Sequence, residues 1–324
     1  MEVVIFGAGA VGLGLGSALL QAGAGVRFVA REATVTALGQ RGLLRTGLFG
    51  RHQSGPLPAA TTLAGLSQEP ADYVLITTKA FDSEAAARAL AAAPAIVGAE
   101  APLVLCQNGW GSAPHFTPHF GTERIWNARI ITGFRRLAPA HVEVTVHAEP
   151  VHMGSLFGLD PQRIAPLCTA LARGGLPCEP SREIAADLWA KLLYNACLNP
   201  LGAICGVPYG ALGASPDSRA VLEELARETF AVMQAAGFHT HWPDAAHWLR
   251  DFYARLLPPT AEHEPSTLQD LRSGHRTEVD ALTGAIVTLA DEHAIPVPTS
   301  RTLLHLLHFL ERRARGQGRG HPSC

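Results

Sequence analysis

Short apolar runs alternate with helical patterns through the first half of the chain, whereas helical periodicity alone fills the second. Residues 3–6, 26–30, 73–78 and 103–106 are rich in Val, Ile, Leu and Phe, as strands buried on both faces of a parallel sheet are. The first run leads straight into glycines and then, at 13–21, a helix. Residues 130–132 and the alternating 142–146 predict strands that extend the same sheet. Near Gly174-Gly175 and between Pro177 and Pro180 the composition turns to breakers, and helices are predicted beyond them at 182–205, 216–236, 242–257, 266–293 and 299–315. The fold class is therefore α/β: a domain of buried parallel strands and helices over 1–178, an all-helical domain over 179–312, and an Arg/Gly-rich tail, 313–324, expected to be disordered.

One helical stretch breaks its own apolar pattern. In 191–200, Lys191, Asn195 and Asn199 recur at i, i+4 and i+8 among Leu, Tyr, Ala and Cys, so a cation and two amides form one polar stripe. Buried polar groups need partners, and a small anionic carbonyl compound suits this set. A solvated helix face with Lys191 at its edge is the plainer alternative.

The glycines between the first strand and helix read Gly7-Ala8-Gly9-Ala10-Val11-Gly12, the GxGxxG pattern in its required strand–turn–helix context. The first glycine permits the tight turn, the second lets backbone approach a pyrophosphate, and the third allows close packing of helix on strand; the helix N-terminus then offers N–H groups to phosphate. About twenty residues on, where an NAD enzyme carries an acidic residue, stands Arg31. Its planar fork suits a 2′-phosphate, which favours NADP(H), although Glu32 beside it offers a carboxylate for a ribose.

Lys79 and Asn108 follow the third and fourth strands, at the sheet edge where ligands bind in such folds. A surface lysine and an ordinary Asn-Gly turn are the alternatives. Ser266-Thr267-Leu268-Gln269 has the form of a capping box, placing the Ser266 hydroxyl at a helix N-terminus as a plain cap or as a substrate contact. Within the helix predicted over 266–293, Glu278 shares a face with Leu271, Gly274, Leu282 and Leu289; its carboxylate needs Arg272, Arg276 or a ligand hydroxyl.

Composition narrows the function class. The 28 acidic and 26 basic residues leave a net charge of −2, which argues against nucleic-acid or membrane-surface binding by overall charge. The six cysteines lack CxxC pairs and read as reduced thiols, and no apolar run of about 18 residues is present, so a soluble cytoplasmic protein is expected. Fifteen histidines show no spacing of a known zinc motif, and no metal is expected. A homodimer stays open.

These motifs together resemble the ketopantoate reductases (2-dehydropantoate 2-reductases). The likeness is carried by the glycine loop, Thr78-Lys79-Ala80, Gln107-Asn108-Gly109, Lys191-Leu192-Leu193-Tyr194-Asn195 through Asn199-Pro200-Leu201, Ser266 to Asp270, and Arg276 to Asp280. Thr132-Gly133-Phe134-Arg135-Arg136 departs from that pattern. The resemblance implies a Rossmann-type dinucleotide-binding domain over 1–178 and a helical domain over 179–312 that carries substrate chemistry, with NADPH-dependent reduction of ketopantoate to pantoate, a step of pantothenate and coenzyme A biosynthesis, and substrate held between the domains. It further implies Lys191 as catalytic general acid and substrate contacts from Asn108, Asn195, Asn199, Ser266 and Glu278. Lys79 and Asn108 would lie near the cofactor, and Arg31 near its 2′-phosphate. Reduction of another small oxo acid on the same scaffold, and an NADP(H)-sensing module without turnover, are the alternative functions.

Overall fold

The computed structural model describes residues 1–317, which form two compact units. The first comprises Met1–Gln107 and Ser112–Ile184; the second takes Asn108–Gly111 from the middle of that run and resumes at Ala185.

In the first unit the strands are β1 Glu2–Phe6, β2 Gly25–Val29, β3 Leu44–Gly47, β4 His52–Gln53, β5 Ala59–Ala60, β6 Tyr73–Ile76, β7 Leu103–Leu105, β8 Ile125–Arg129, β9 Thr132–Ala138, β10 His141–His147, β11 Val151–Gly154 and β12 Cys178–Pro180. Its helices are α1 Ala10–Gln21, α2 Glu32–Arg41, α3 Ser83–Ala91, α4 Pro94–Val97, α5 Ala113–Phe120 and α6 Ala165–Arg173. Eight strands make a sheet in the order β12-β11-β8-β7-β6-β1-β2-β5, parallel except where β11 meets β8. Alternate side chains feed two cores: Val3, Ile5, Leu75 and Val104 on one face, Val4, Val74, Ile76 and Leu103 on the other. The strand order reverses at β1, and the crevice for ligands in an open sheet lies at the C-terminal end of that switch.

The strands expected at 130–132 and 142–146 do not extend this sheet. They contribute to a second one, β4-β3-β10-β9, while Ile130 and Ile131 only join β8 to β9. Along β10, buried Val142 and Val144 alternate with more exposed Glu143 and Thr145, which suits a sheet with one dry face; the central main-sheet strands β6 and β7 are buried continuously. The first unit also runs past residue 178 to Ile184, since β12 pairs with β11.

The second unit is helical: α7 Ile184–Cys205, which starts on the last residue of the first unit, then α8 Tyr209–Ala214, α9 Pro216–Ala235, α10 Ala245–Asp251, α11 Ser266–Arg272, α12 Thr283–Glu292 and α13 Pro298–Gln317. Leu192, Leu193, Ala196, Cys197 and Leu201 bury the apolar side of α7 against Phe230, Trp248, Phe252 and Ile286. The segment expected to be one helix over 266–293 is two. Gly274, at φ +65°, ends α11 in a Schellman motif: the His275 N–H donates to Asp270 O (2.9 Å) and the Gly274 N–H to Leu271 O (3.1 Å). Residues 275–277 are irregular, and a turn over 278–282 leads into α12. Helix α13 continues through residues 313–317 of the expected tail; the remainder, 318–324, lies outside the described residues. Among the described residues no helix is long and apolar enough to cross a membrane.

Candidate active site

Gly7 leaves β1 at φ +111°, and a Cβ on it would lie 2.7 Å from the Thr78 nitrogen. At Gly12 a Cβ would fall 2.3 Å from Gly7 O and 2.6 Å from the Thr77 hydroxyl, so only glycine lets α1 pack this closely on the turn. Gly9 is different. It caps α1 without a side chain, and nothing lies within 4 Å of where its Cβ would be. The backbone N–H groups of the first turn of α1 lack helical partners and border that open space, a combination suited to a pyrophosphate. Beside the ends of β1 and β2, a cavity of about 340 Å³ is lined by Phe6, Val29, Thr62, Leu63, Ala89 and Ala93, mostly apolar walls that fit an adenine ring. Arg31 is exposed at the N-terminal cap of α2, two residues past β2.

Lys79 is exposed after β6. The turn holding it is fastened by Gln107, whose amide donates to the Ser83 hydroxyl (2.9 Å), with longer contacts to Thr78 and the Lys79 carbonyl (3.4 Å each). Thr77 likewise donates to Gly7 O. Sequence reasoning gave neither Thr77 nor Gln107 a role, because an amide or hydroxyl next to a motif has no periodic signature.

In the second unit three of the expected residues meet. The Lys191 ammonium donates to Asn108 Oδ1 at 2.6 Å, and Asn108 Nδ2 reaches Glu278 Oε2 at 3.5 Å. The amide thus turns its oxygen to the cation and its nitrogen to the carboxylate. Glu278 is 8 % exposed and sits in the 278–282 turn, where its carbonyl accepts from the Ala281 and Leu282 N–H groups. It is therefore not on a helix face, as the 3.6-residue count had required; the Schellman ending at Gly274 is the reason.

Asn195 and Asn199 lie one and two turns beyond Lys191 on α7. Asn195 is partly exposed; Asn199 is 4 % exposed, and its Oδ1 accepts from the Tyr209 hydroxyl at 2.9 Å. Burial raises the Tyr209 hydroxyl above its usual range, which keeps it a donor. Tyr209 was missed because α8 is too short to show a period. Ser266 is the first residue of α11, exposed, and Pro265 takes the cap position with no side-chain cap; the capping-box reading fails. Pro265 lies against Gly202 of α7, whose added Cβ would come within 2.7 Å of the proline Cγ, so the start of α11 abuts the helix that carries the stripe. Among the described residues, no group of three or more His, Cys, Asp or Glu is placed to hold a metal ion.

Comparison with known proteins agrees along the chain. A profile of "Ketopantoate reductase PanE/ApbA" matches residues 3–157, and that of the same family's C-terminal domain matches 183–311. The 2-dehydropantoate 2-reductase of Aquifex aeolicus is 30% identical over 96% of this chain and 97% of its own; that of Archaeoglobus fulgidus is 32% identical over 96% and 98%. A crystal structure of a PanE/ApbA family ketopantoate reductase from Ralstonia eutropha superposes with a TM-score of 0.84 at 31% identity, covering 97% of this chain and 100% of that one. A ternary structure of D-mandelate dehydrogenase with NADH and anilino(oxo)acetate has a TM-score of 0.83 at 22% identity, covering 97% and 99%, and shares the fold. The chain belongs to the ketopantoate reductase family, pyridine-nucleotide oxidoreductases that act on CH–OH groups.

Proposed function

We propose that this protein reduces ketopantoate to pantoate with NADPH, a step of pantothenate and coenzyme A biosynthesis. The observation that carries the reading is the Lys191–Asn108–Glu278 chain, a cation and a buried carboxylate joined through one amide. When bound at the glycine loop, NADPH supplies a hydride for the carbonyl carbon of the 2-oxo acid. As that carbon is attacked, charge builds on the carbonyl oxygen. Lys191 stabilises the oxyanion and delivers its proton, giving the 2-hydroxy acid. An ammonium has three donors, and Asn108 takes one of them, which fixes the direction of the group.

Asn195 orients the substrate without adding charge, Asn199 contributes from its tie to Tyr209, and Ser266 binds the substrate carboxylate. Glu278 accepts from the substrate's 4-hydroxyl; an analogue without that hydroxyl would leave a buried acceptor unpaired, the strongest discrimination such a site has. Ala8, Ala10 and Val11 supply backbone around the pyrophosphate with Gly7, Gly9 and Gly12. Arg31 and Lys79 bind cofactor phosphate and ribose, and Arg31 supports the choice of NADPH over NADH.

The test is steady-state oxidation of NADPH and of NADH with ketopantoate and a panel of small 2-oxo and 3-oxo acids. The expected result is the highest kcat/KM for ketopantoate with NADPH, and loss of the NADPH preference in Arg31→Ala. Turnover fastest on an acid without a 4-hydroxyl, or nucleotide binding with no turnover on any acid, would overturn it.

A further inference from the structure

Asn108 holds its position without any helix or strand of its own. It opens a four-residue stretch, Asn108–Gly111, whose chain neighbours on both sides, Gln107 and Ser112, belong to the first unit. A loop asparagine in that setting has several rotamers open to it, and the geometry with Lys191 needs one. Two attachments select it, and both run through Trp110. The Trp110 backbone N–H donates to Ala281 O at 2.9 Å, and Ala281 in turn donates to the Glu278 carbonyl at 3.0 Å. The Trp110 indole packs on Trp189, centroids 5.1 Å apart, and edge-on to Phe238 at 4.8 Å. Trp189 is fully buried on α7, two residues before Lys191. Between them Gly109, at φ +89°, passes so close to the turn that a Cβ would lie 2.1 Å from Ala281 O.

We infer that Trp110 is a positioning residue that, by gripping α7 through its ring and the 278–282 turn through its backbone, sets the Asn108 amide between Lys191 and Glu278. The inference deepens the proposed reductase reading and rests on it. Catalytic groups tolerate little misplacement; an error of about 1 Å costs on the order of 100-fold in rate. The ring anchors are aromatic, so the grip needs a flat, well-packed side chain rather than a hydrogen bond.

The experiment compares Trp110→Ala, Trp110→Phe, Asn108→Ala and the Trp110→Ala/Asn108→Ala pair by ketopantoate kinetics with NADPH, alongside NADPH affinity from fluorescence titration and thermal melting. Trp110→Ala is expected to lower kcat/KM for the oxo acid by about 10- to 100-fold. NADPH affinity should stay within about twofold, Trp110→Phe should recover most of the rate, and the double variant should be no slower than Asn108→Ala alone. If Trp110→Ala does not fold, Trp110→Leu is read in its place. Multiplicative losses in the double variant, or full activity of Trp110→Ala in an active enzyme, overturn the inference. A wild type that turns over no oxo acid overturns the reductase reading and this inference with it.

Discussion

The glycine loop of the first unit and the Lys191 cluster of the second achieve ligand geometry by opposite means. The loop is made of consecutive residues whose placement follows from backbone alone: a positive φ at Gly7, an impossible Cβ at Gly12, open space at Gly9. The cluster draws Asn108, Lys191 and Glu278 from a loop, a long helix and a turn, and depends on side-chain rotamers held by packing. Backbone-encoded sites therefore fail by steric insertion, and packing-encoded sites fail by loss of a charge or an anchor.

That contrast can be broken first at the lysine. Lys191→Ala should lower kcat by at least about 100-fold while dinucleotide affinity remains near that of the wild type, measured by stopped turnover and by titration. Near-normal turnover would remove Lys191 from the chemistry. Next, Gly9→Val and Gly12→Val should separate two roles within one motif. The first fills open space and should weaken dinucleotide binding about tenfold or more with an unchanged melting temperature. The second drives a side chain into Gly7 O and Thr77 and should cost about 1–3 kcal/mol of stability in denaturant unfolding. Equal melting temperatures for the two would sink the distinction.

A smaller effect tests Asn199. Tyr209→Phe removes the donor to a buried carbonyl oxygen and should destabilise the protein by about 1–3 kcal/mol in urea titrations. Smallest is a pH effect in the second sheet of the first unit. Burial pushes His147 below its usual 6.5, and burial together with the Arg45 charge does the same for His52. Both stay neutral when folded and take up protons more readily unfolded, so stability should hold above pH 6.5 and fall as pH drops from there toward the lowered folded values. Melting curves between pH 7.5 and 5.0 check it; the His52→Gln/His147→Gln variant should show a shallower slope.

The difference between the two regions also explains what the sequence disclosed. The parallel strands, the glycine loop and the Lys191 stripe were legible because each is a local pattern: a short unbroken apolar run, a six-residue motif and a 3.6-residue period. The 4-strand sheet was misassigned because alternation along 142–146 reports a half-buried strand without saying which sheet it joins. Glu278 was right as a residue to single out and wrong in its element: an apolar count carried across Gly274 outweighed the glycine that stops α11. Tyr209, Thr77 and Trp110 stayed silent, since a hydroxyl's partner or a ring's neighbours are set by tertiary approach across many residues of sequence.

The loan of Asn108–Gly111 to the second unit has a consequence for engineering. A chimaera joined near residue 184 would look modular, yet it would take the bridging amide from one parent and its lysine and glutamate from the other. Recombination of halves should succeed only between parents that agree at the borrowed tetrapeptide, and transplanting those four positions together with the C-terminal half is the way to restore a mismatched pair.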